Sequence, residues 1–205
     1  MKVRLRTARR GVARFDLAAE RAFERLRGKV VADRIFYAAS ELGDFGLIWV
    51  LLGTVKGLRK GDDLNTALKM TAAMGAESVL VNGVIKSCFR RTRPPWEVDR
   101  PLYVRRPLTS SFPSGHATSA VSAAMMLSDD DDWWPIYWAL AAVVASSRIY
   151  VRIHHASDVA AGLALGVVLG VIGRRLLPAA ALVGADLLHL HEVDAGRGEN
   201  RAHVE

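Results

Sequence analysis

Five apolar stretches, at approximately 43–58, 65–86, 115–128, 133–150 and 158–175, follow one another along this chain with short polar links between them. Several approach the ~20 residues a helix needs to cross a bilayer's hydrocarbon core; the first and third are short. Any one of them would also suit a buried helix of a soluble all-α protein. Five in succession predict an all-α, integral-membrane helical bundle of about five spans. Gly162, Gly166 and Gly170 recur at every fourth position of the last stretch, and Ala117, Ala120 and Ala124 form a comparable face on the third. Small residues spaced in this way let helix backbones approach closely in a bilayer. At 205 residues the chain suits one domain.

The spans divide the chain into a basic region 1–42, a membrane domain 43–178 and a tail 179–205. Region 1–42 carries eleven Lys/Arg against five acids, too many charges for a crossing. Val12, Phe15, Ala19, Ala22, Phe23 and Leu26 recur there at roughly helical spacing, which predicts an amphipathic helix lying on the membrane surface. A solvated helix packed on its own domain is the plainer alternative. Residues 1–30 hold no continuous apolar core of a cleavable signal. The lone Cys88 has no internal disulfide partner. In the tail, Ala179–Leu190 is weakly apolar and reads as a short interfacial helix, with His189 and His191 as tail residues, not ligands. The net charge of +7 suits nucleic acid, anionic headgroups or phosphate substrates. A nucleic-acid partner is disfavoured, because the basic residues are split among span ends with no aromatic platform between them.

Polar groups at span ends are expensive unless they are used. Three sets stand out: Lys86 to Pro94 where the second stretch ends, Pro113-Ser114-Gly115-His116 where the third begins, and Ser147 to Asp158 between the fourth and fifth. Alternating spans bring all three to one membrane face. Lys86, Arg93 and Arg148 then converge as cations, and arginine offers a planar fork of donors matched to phosphate oxygens. Ser114 suits a helix N-cap and Gly115 a close backbone approach, so the start of the third helix becomes an anion site. His154 and Asp158 are spaced to face each other across one helical turn. A carboxylate on one ring nitrogen would free the other as a nucleophile, and His116 could protonate the leaving oxygen. A zinc site of His154, His155 and Asp158 is the weaker reading, since three nearby cations would repel a metal ion. No metal and no cofactor is therefore expected.

These residues resemble the type 2 phosphatidate phosphatase superfamily, the lipid phosphate phosphatases related to vanadium haloperoxidases. Its three signatures, Lys-x6-Arg-Pro, Pro-Ser-Gly-His and Ser-Arg-x5-His-x3-Asp, stand here in order at Lys86, Pro113 and Ser147, with eleven specified positions matched. The resemblance spans roughly residues 43–175. It implies that His154 accepts the phosphoryl group, that Asp158 is its partner and that His116 is the general acid. Lys86, Arg93, Ser114, Gly115 and Arg148 would hold the phosphate. It also implies metal-independent hydrolysis through a phosphohistidine, and many members have six spans.

The expected function is hydrolysis of a lipid phosphomonoester or diphosphate by an integral-membrane enzyme. Polyprenyl phosphates, glycerolipids and phosphorylated glycolipids all present the same headgroup and stay open as substrates. A non-catalytic binder of anionic headgroups would need the cations but not His154, His116 and Asp158 at these spacings. Vanadate-dependent halide oxidation is disfavoured by the apolar spans. Basic residues concentrate before residue 43 and between Lys86 and Arg106, on the face that would carry the site. The positive-inside rule puts that face in the cytoplasm.

Overall fold

The computed structural model describes residues 2–61, 64–95, 100–105 and 107–177. The tail expected to hold the interfacial helix, with His189 and His191, lies outside the described residues, as does Arg106. Every regular element among the described residues is helical. They are α1 (Lys2–Glu24), α2 (Val30–Leu42), α3 (Leu47–Lys60), α4 (Asn65–Ser78), α5 (Gly115–Leu127), α6 (Trp134–Tyr150) and α7 (Ala156–Leu176). The chain continues from α4 through a π-helical stretch, Val79–Ile85, and a 3-10 turn, Lys86–Cys88, all with right-handed helical backbone at the junctions.

Two boundaries differ from the sequence reading. Region 1–42 forms two helices, broken by a turn in which Gly28 takes φ +80°. The first apolar stretch does not start as helix at Gly43; it is preceded by a bend of 66° between α2 and α3. The bend is built from Phe45 and Gly46, both at positive φ, while Gly43 has no room for a side chain. A Cβ there would lie 2.7 Å from His116 Cδ2 and 2.9 Å from Val144 Cγ1.

Helix α5 is the axis of the bundle. Ala117, Thr118, Ala120, Ala123, Ala124 and Leu127 have no solvent exposure at all. Helix α7 lies against it so closely that a Cβ on Gly162 would come within 2.4 Å of the Ser114 carbonyl oxygen, and one on Gly166 within 2.6 Å of that of Thr118. The small-residue faces read from both helices therefore pack on each other. While α7 buries its glycines, it exposes Val167, Val168, Ile172 and Leu176. Small residues inside and large apolar residues outside is the distribution of a helix whose outer solvent is lipid. Trp49, Met70, Met74, Tyr137 and Val144 fill the space between α3, α4, α5 and α6.

Among the described residues α7 alone is long and apolar enough to cross a bilayer by itself, and α2 with α3 passes only as the bent pair. Helices α3, α5 and α6 have 14, 13 and 17 residues, short of the ~20 a straight crossing takes. The acidic run after α5 is used structurally at one end of the bundle. Asp131 pairs with Arg59 and accepts from Tyr137, Asp129 pairs with Arg174, and Lys56 donates to the carbonyls of Leu127 and Asp129.

Helix α1 packs across the other end. Asp16, Ala19, Glu20 and Phe23 share one face, turned to the ends of α6 and α7. Phe15, Ala22 and Leu26 form an exposed apolar stripe beside it, and Arg10, Arg14, Arg21 and Arg25 lie on an exposed basic stripe. Burial holds Glu20 up, but hydrogen bonds from Arg27 and Arg152 outweigh it and keep its carboxyl below the usual range.

Candidate active site

Ser114 caps α5. Its backbone is extended (ψ 111°) and its hydroxyl accepts the Ala117 N–H at 3.4 Å, so the helix starts at Gly115, directly after the proline and serine. Its own N–H donates to the Asp158 carbonyl at 3.0 Å, locking the start of α5 to the first turn of α7. At Gly115 an added Cβ would sit 3.2 Å from Asn82 Oδ1 and 3.7 Å from Lys86 Nζ. The end of the second apolar stretch thus reaches the start of the third. Lys86 Nζ donates to Asn82 Oδ1 at 2.7 Å, one turn back in the π-helical stretch.

His154 and Asp158 do not face each other across a helical turn, as their spacing predicted. Helix α7 begins only at Ala156, and His154 precedes it. Asp158 occupies the third helical position and reaches back, its Oδ2 accepting the His155 N–H at 2.9 Å and the Ser111 hydroxyl at 2.5 Å. His154 Nδ1 lies 3.7 Å from that same oxygen, an ion-pair distance longer than a hydrogen bond, and has no other partner among the described residues. On the opposite side of the ring, Arg93 Nη1 is 3.2 Å from Nε2. Arginine only donates, so Nε2 must present its lone pair and the proton must sit on Nδ1, facing Asp158. Burial lowers the His154 pKa to about 3; Asp158 opposes this, and the charges of Arg93, Arg148 and Lys86 add to it. The ring is therefore neutral at physiological pH.

Lys86 and Arg148 are buried and Arg93 half-buried, yet none of the three forms an ion pair among the described residues. Their donors go to neutral oxygens: Arg93 to the carbonyls of Ile153, Thr109 and Ser110, Arg148 to the carbonyl and hydroxyl of Ser40. Arg148 Nε has no hydrogen-bond partner among the described residues. Arg27, Arg59, Arg91, Arg152 and Arg174 are each paired with a carboxylate. Buried cations without counter-ions are costly, and an anion supplied from outside would compensate them.

His116 sits on the first turn of α5, its Nε2 3.1 Å from Asp44 Oδ1 and 3.2 Å from the Ser40 carbonyl. Both are acceptors, which places a proton on Nε2. The structure brings together all eight sequence-derived site residues: Lys86, Arg93, Ser114, Gly115, His116, Arg148, His154 and Asp158. It adds Ser40, Asp44, Arg91 and Ser111, which the sequence reading missed. Arg91 stands inside a motif segment at an unspecified position and Ser111 two residues before the next motif; Ser40 comes from the last turn of α2 and Asp44 from the bend after it, with no local signal.

The PAP2 superfamily model matches residues 66–181, more than half of the chain. The chain belongs to the PAP2 superfamily. It is 36% identical over 129 residues to the decaprenylphosphoryl-5-phosphoribose phosphatase of Mycobacterium tuberculosis, covering 62% of this chain and 68% of that protein. Among solved structures it resembles the transmembrane PAP2 type phosphatidylglycerolphosphate phosphatase from Bacillus subtilis, with a TM-score of 0.63, 21% identity and coverage of 85% and 90% of the two chains. Aquifex aeolicus LpxE gives a TM-score of 0.60 at 26% identity, over 78% of this chain and 94% of that one. The integral-membrane, all-α bundle and the phosphoric monoester hydrolase class expected from the three signatures are those of this PAP2 lipid phosphatase family.

Proposed function

We propose that this PAP2 phosphatase hydrolyses a phosphomonoester on a polyprenyl-linked or related glycolipid through a phosphohistidine on His154, without a metal ion. The observation that carries the reading is the orientation of His154. Its Nε2 lone pair points at Arg93, among three cations that lack counter-ions, while its N–H points at Asp158. A phosphoryl group held by Lys86, Arg93 and Arg148 would take the place of the missing anion, with the N-terminus of α5 at Ser114 and Gly115 completing the cradle.

In the first step the Nε2–P bond forms as the P–O bond to the lipid alcohol breaks. The electron pair goes to the leaving oxygen, which takes a proton from His116. Water then attacks phosphorus, His116 recovers the proton, and the P–N bond returns its pair to Nε2. Asp158 stabilises the positive charge that develops on the ring, and its 3.7 Å separation from Nδ1 closes to a hydrogen bond as that charge grows. The phosphoryl transition state spreads charge over its oxygens, so positioned cations supply much of the catalysis.

The substrate class rests on the mycobacterial relative, which acts on a decaprenylphosphoryl phosphoribose. Five crossings, with the site on the cytoplasmic face, follow from the alternation of apolar stretches and from the eleven basic residues before residue 43. The test is phosphate release by purified protein from matched lipids: a polyprenylphosphoryl phosphosugar, a polyprenyl diphosphate, phosphatidate and phosphatidylglycerol phosphate, each with and without EDTA. Preference for the phosphosugar, unaffected by EDTA, supports the reading. Preference for another lipid overturns the substrate class, and loss of activity in EDTA restored by zinc overturns the mechanism.

A further inference from the structure

Asp158 has two carboxylate oxygens, and the mechanism above uses one. Oδ2 takes the Ser111 hydroxyl and the His155 N–H and is the oxygen nearest His154. Oδ1 is held by Arg91, whose Nη1 donates to it at 2.7 Å and to the Ser157 hydroxyl at 2.8 Å. The other arm of that guanidinium, Nη2, donates at 2.8 Å to Asp16 on α1. Asp16 in turn accepts the Ser157 N–H at 2.8 Å and its hydroxyl at 3.0 Å. Arg91 is thereby clamped between two carboxylates, Asp16 of α1 and Asp158. The backbone beside it is fixed as well, since the Arg91 carbonyl accepts the Ser111 N–H at 3.0 Å.

We infer that Arg91 is a positioning residue for Asp158, and that Asp16 on α1 holds Arg91 in place, so that the N-terminal helix is part of the catalytic apparatus. The inference rests on the assignment of His154 and Asp158 made above. With Oδ1 fixed by a planar fork, the carboxylate cannot rotate, and Oδ2 stays aimed at His154 Nδ1. Without Arg91, Oδ1 would be buried and unsatisfied, and Oδ2 alone, on the Ser111 hydroxyl and the His155 N–H, would hold the carboxylate's angle to His154. Helix α1 is placed to enforce this. It walls a cleft of about 280 Å³ lined by Asp16, Glu20, Pro94, Arg152, His154 and His155, and Glu20 and Glu24 pair with Arg152 in the loop that carries His154.

The test compares Arg91→Met, Arg91→Lys, Asp16→Asn and the double variant Arg91→Met with Asp16→Asn, against wild type and His154→Ala, all as full-length protein in detergent. Outer-shell partners that orient metal ligands typically contribute ~10–100-fold to activity, and a partner that orients Asp158 is expected to act on the same scale. Arg91→Met should lower kcat by about that factor with KM nearly unchanged, because the phosphate-binding cations are untouched. Arg91→Lys should recover part of the loss. Asp16→Asn should lower kcat less, and should add nothing in the Arg91→Met background. Wild-type kcat in Arg91→Met, a rise in KM of the same size as any loss in kcat, or additive losses in the double variant would each overturn the inference. Should Arg91→Met not fold, Arg91→Lys and Asp16→Asn decide by the same kcat and KM criteria. Activity surviving in His154→Ala would instead overturn the underlying assignment.

Discussion

The protonation states of the two site histidines follow from what their nitrogens face. His154 Nε2 faces a donor and so presents a lone pair, whereas the Nε2 proton of His116 is taken up by Asp44 and the Ser40 carbonyl, so a proton for the leaving oxygen would come from Nδ1 of the imidazolium that Asp44 stabilises. General acid catalysis contributes ~10²–10⁴-fold when the leaving group is poor. His116→Ala should therefore cost about that much on an alkyl phosphate and far less on p-nitrophenyl phosphate, whose leaving group needs no proton. Equal losses on both substrates, measured as kcat/KM, would remove His116 from the acid role. His154 also makes a prediction about pH. Its folded pKa of about 3 lies below the ordinary 6.5, so between those values the unfolded chain binds a proton that the folded chain refuses. Folding stability then rises with pH across this window and is lost as pH falls through it. In His154→Gln, the acid side of the Tm-against-pH curve in detergent should be flatter; an unchanged slope would contradict a buried neutral ring.

At the scale of elements, the tightest constraint is between α5 and α7. The Gly162 Cα lies under the Ser114 carbonyl, and the Ser114 N–H is bonded to Asp158. Gly162→Val would force those two helix starts apart, and overpacking of this kind costs ~1–3 kcal/mol. A lowered Tm should come with loss of turnover, because the displaced turn carries Ser114 and Gly115. Gly173→Ala meets only the flexible Met126 side chain and should be mild in both respects. This helix pair was legible in the sequence, since small residues every third or fourth position on two apolar stretches favour close approach. The convergence of the eight candidate site residues was legible for a related reason: the sequence reading put each beside the end of an apolar stretch, and the structure brings those ends together. The pairs Asp16 with Arg91 and Ser40 with Arg148 were not. They join residues 75 and 108 positions apart through the docking of α1 and α2, which no local pattern specifies. The bend at 43–46 was hidden too, because its glycines sit inside an apolar run that reads as unbroken span.

Across the whole molecule, the proposed orientation places Val104 with the active site and Asp130 at the opposite end of the bundle. A single cysteine at either position, with Cys88 changed to Ser, reports its side through a membrane-impermeant maleimide in intact cells. Labelling of Asp130→Cys without Val104→Cys is expected; the reverse would put the site outside. The proposed chemistry itself turns on a covalent phosphohistidine at His154. It is tested most directly by mixing the purified protein with a substrate radiolabelled in its terminal phosphate, quenching within one turnover under alkaline denaturing conditions, and following label on the protein. The expected label survives alkali, is released by mild acid, maps to the peptide containing His154, and is absent from His154→Ala. Turnover by a wild-type protein that carries no such label at any time within the first cycle would contradict it.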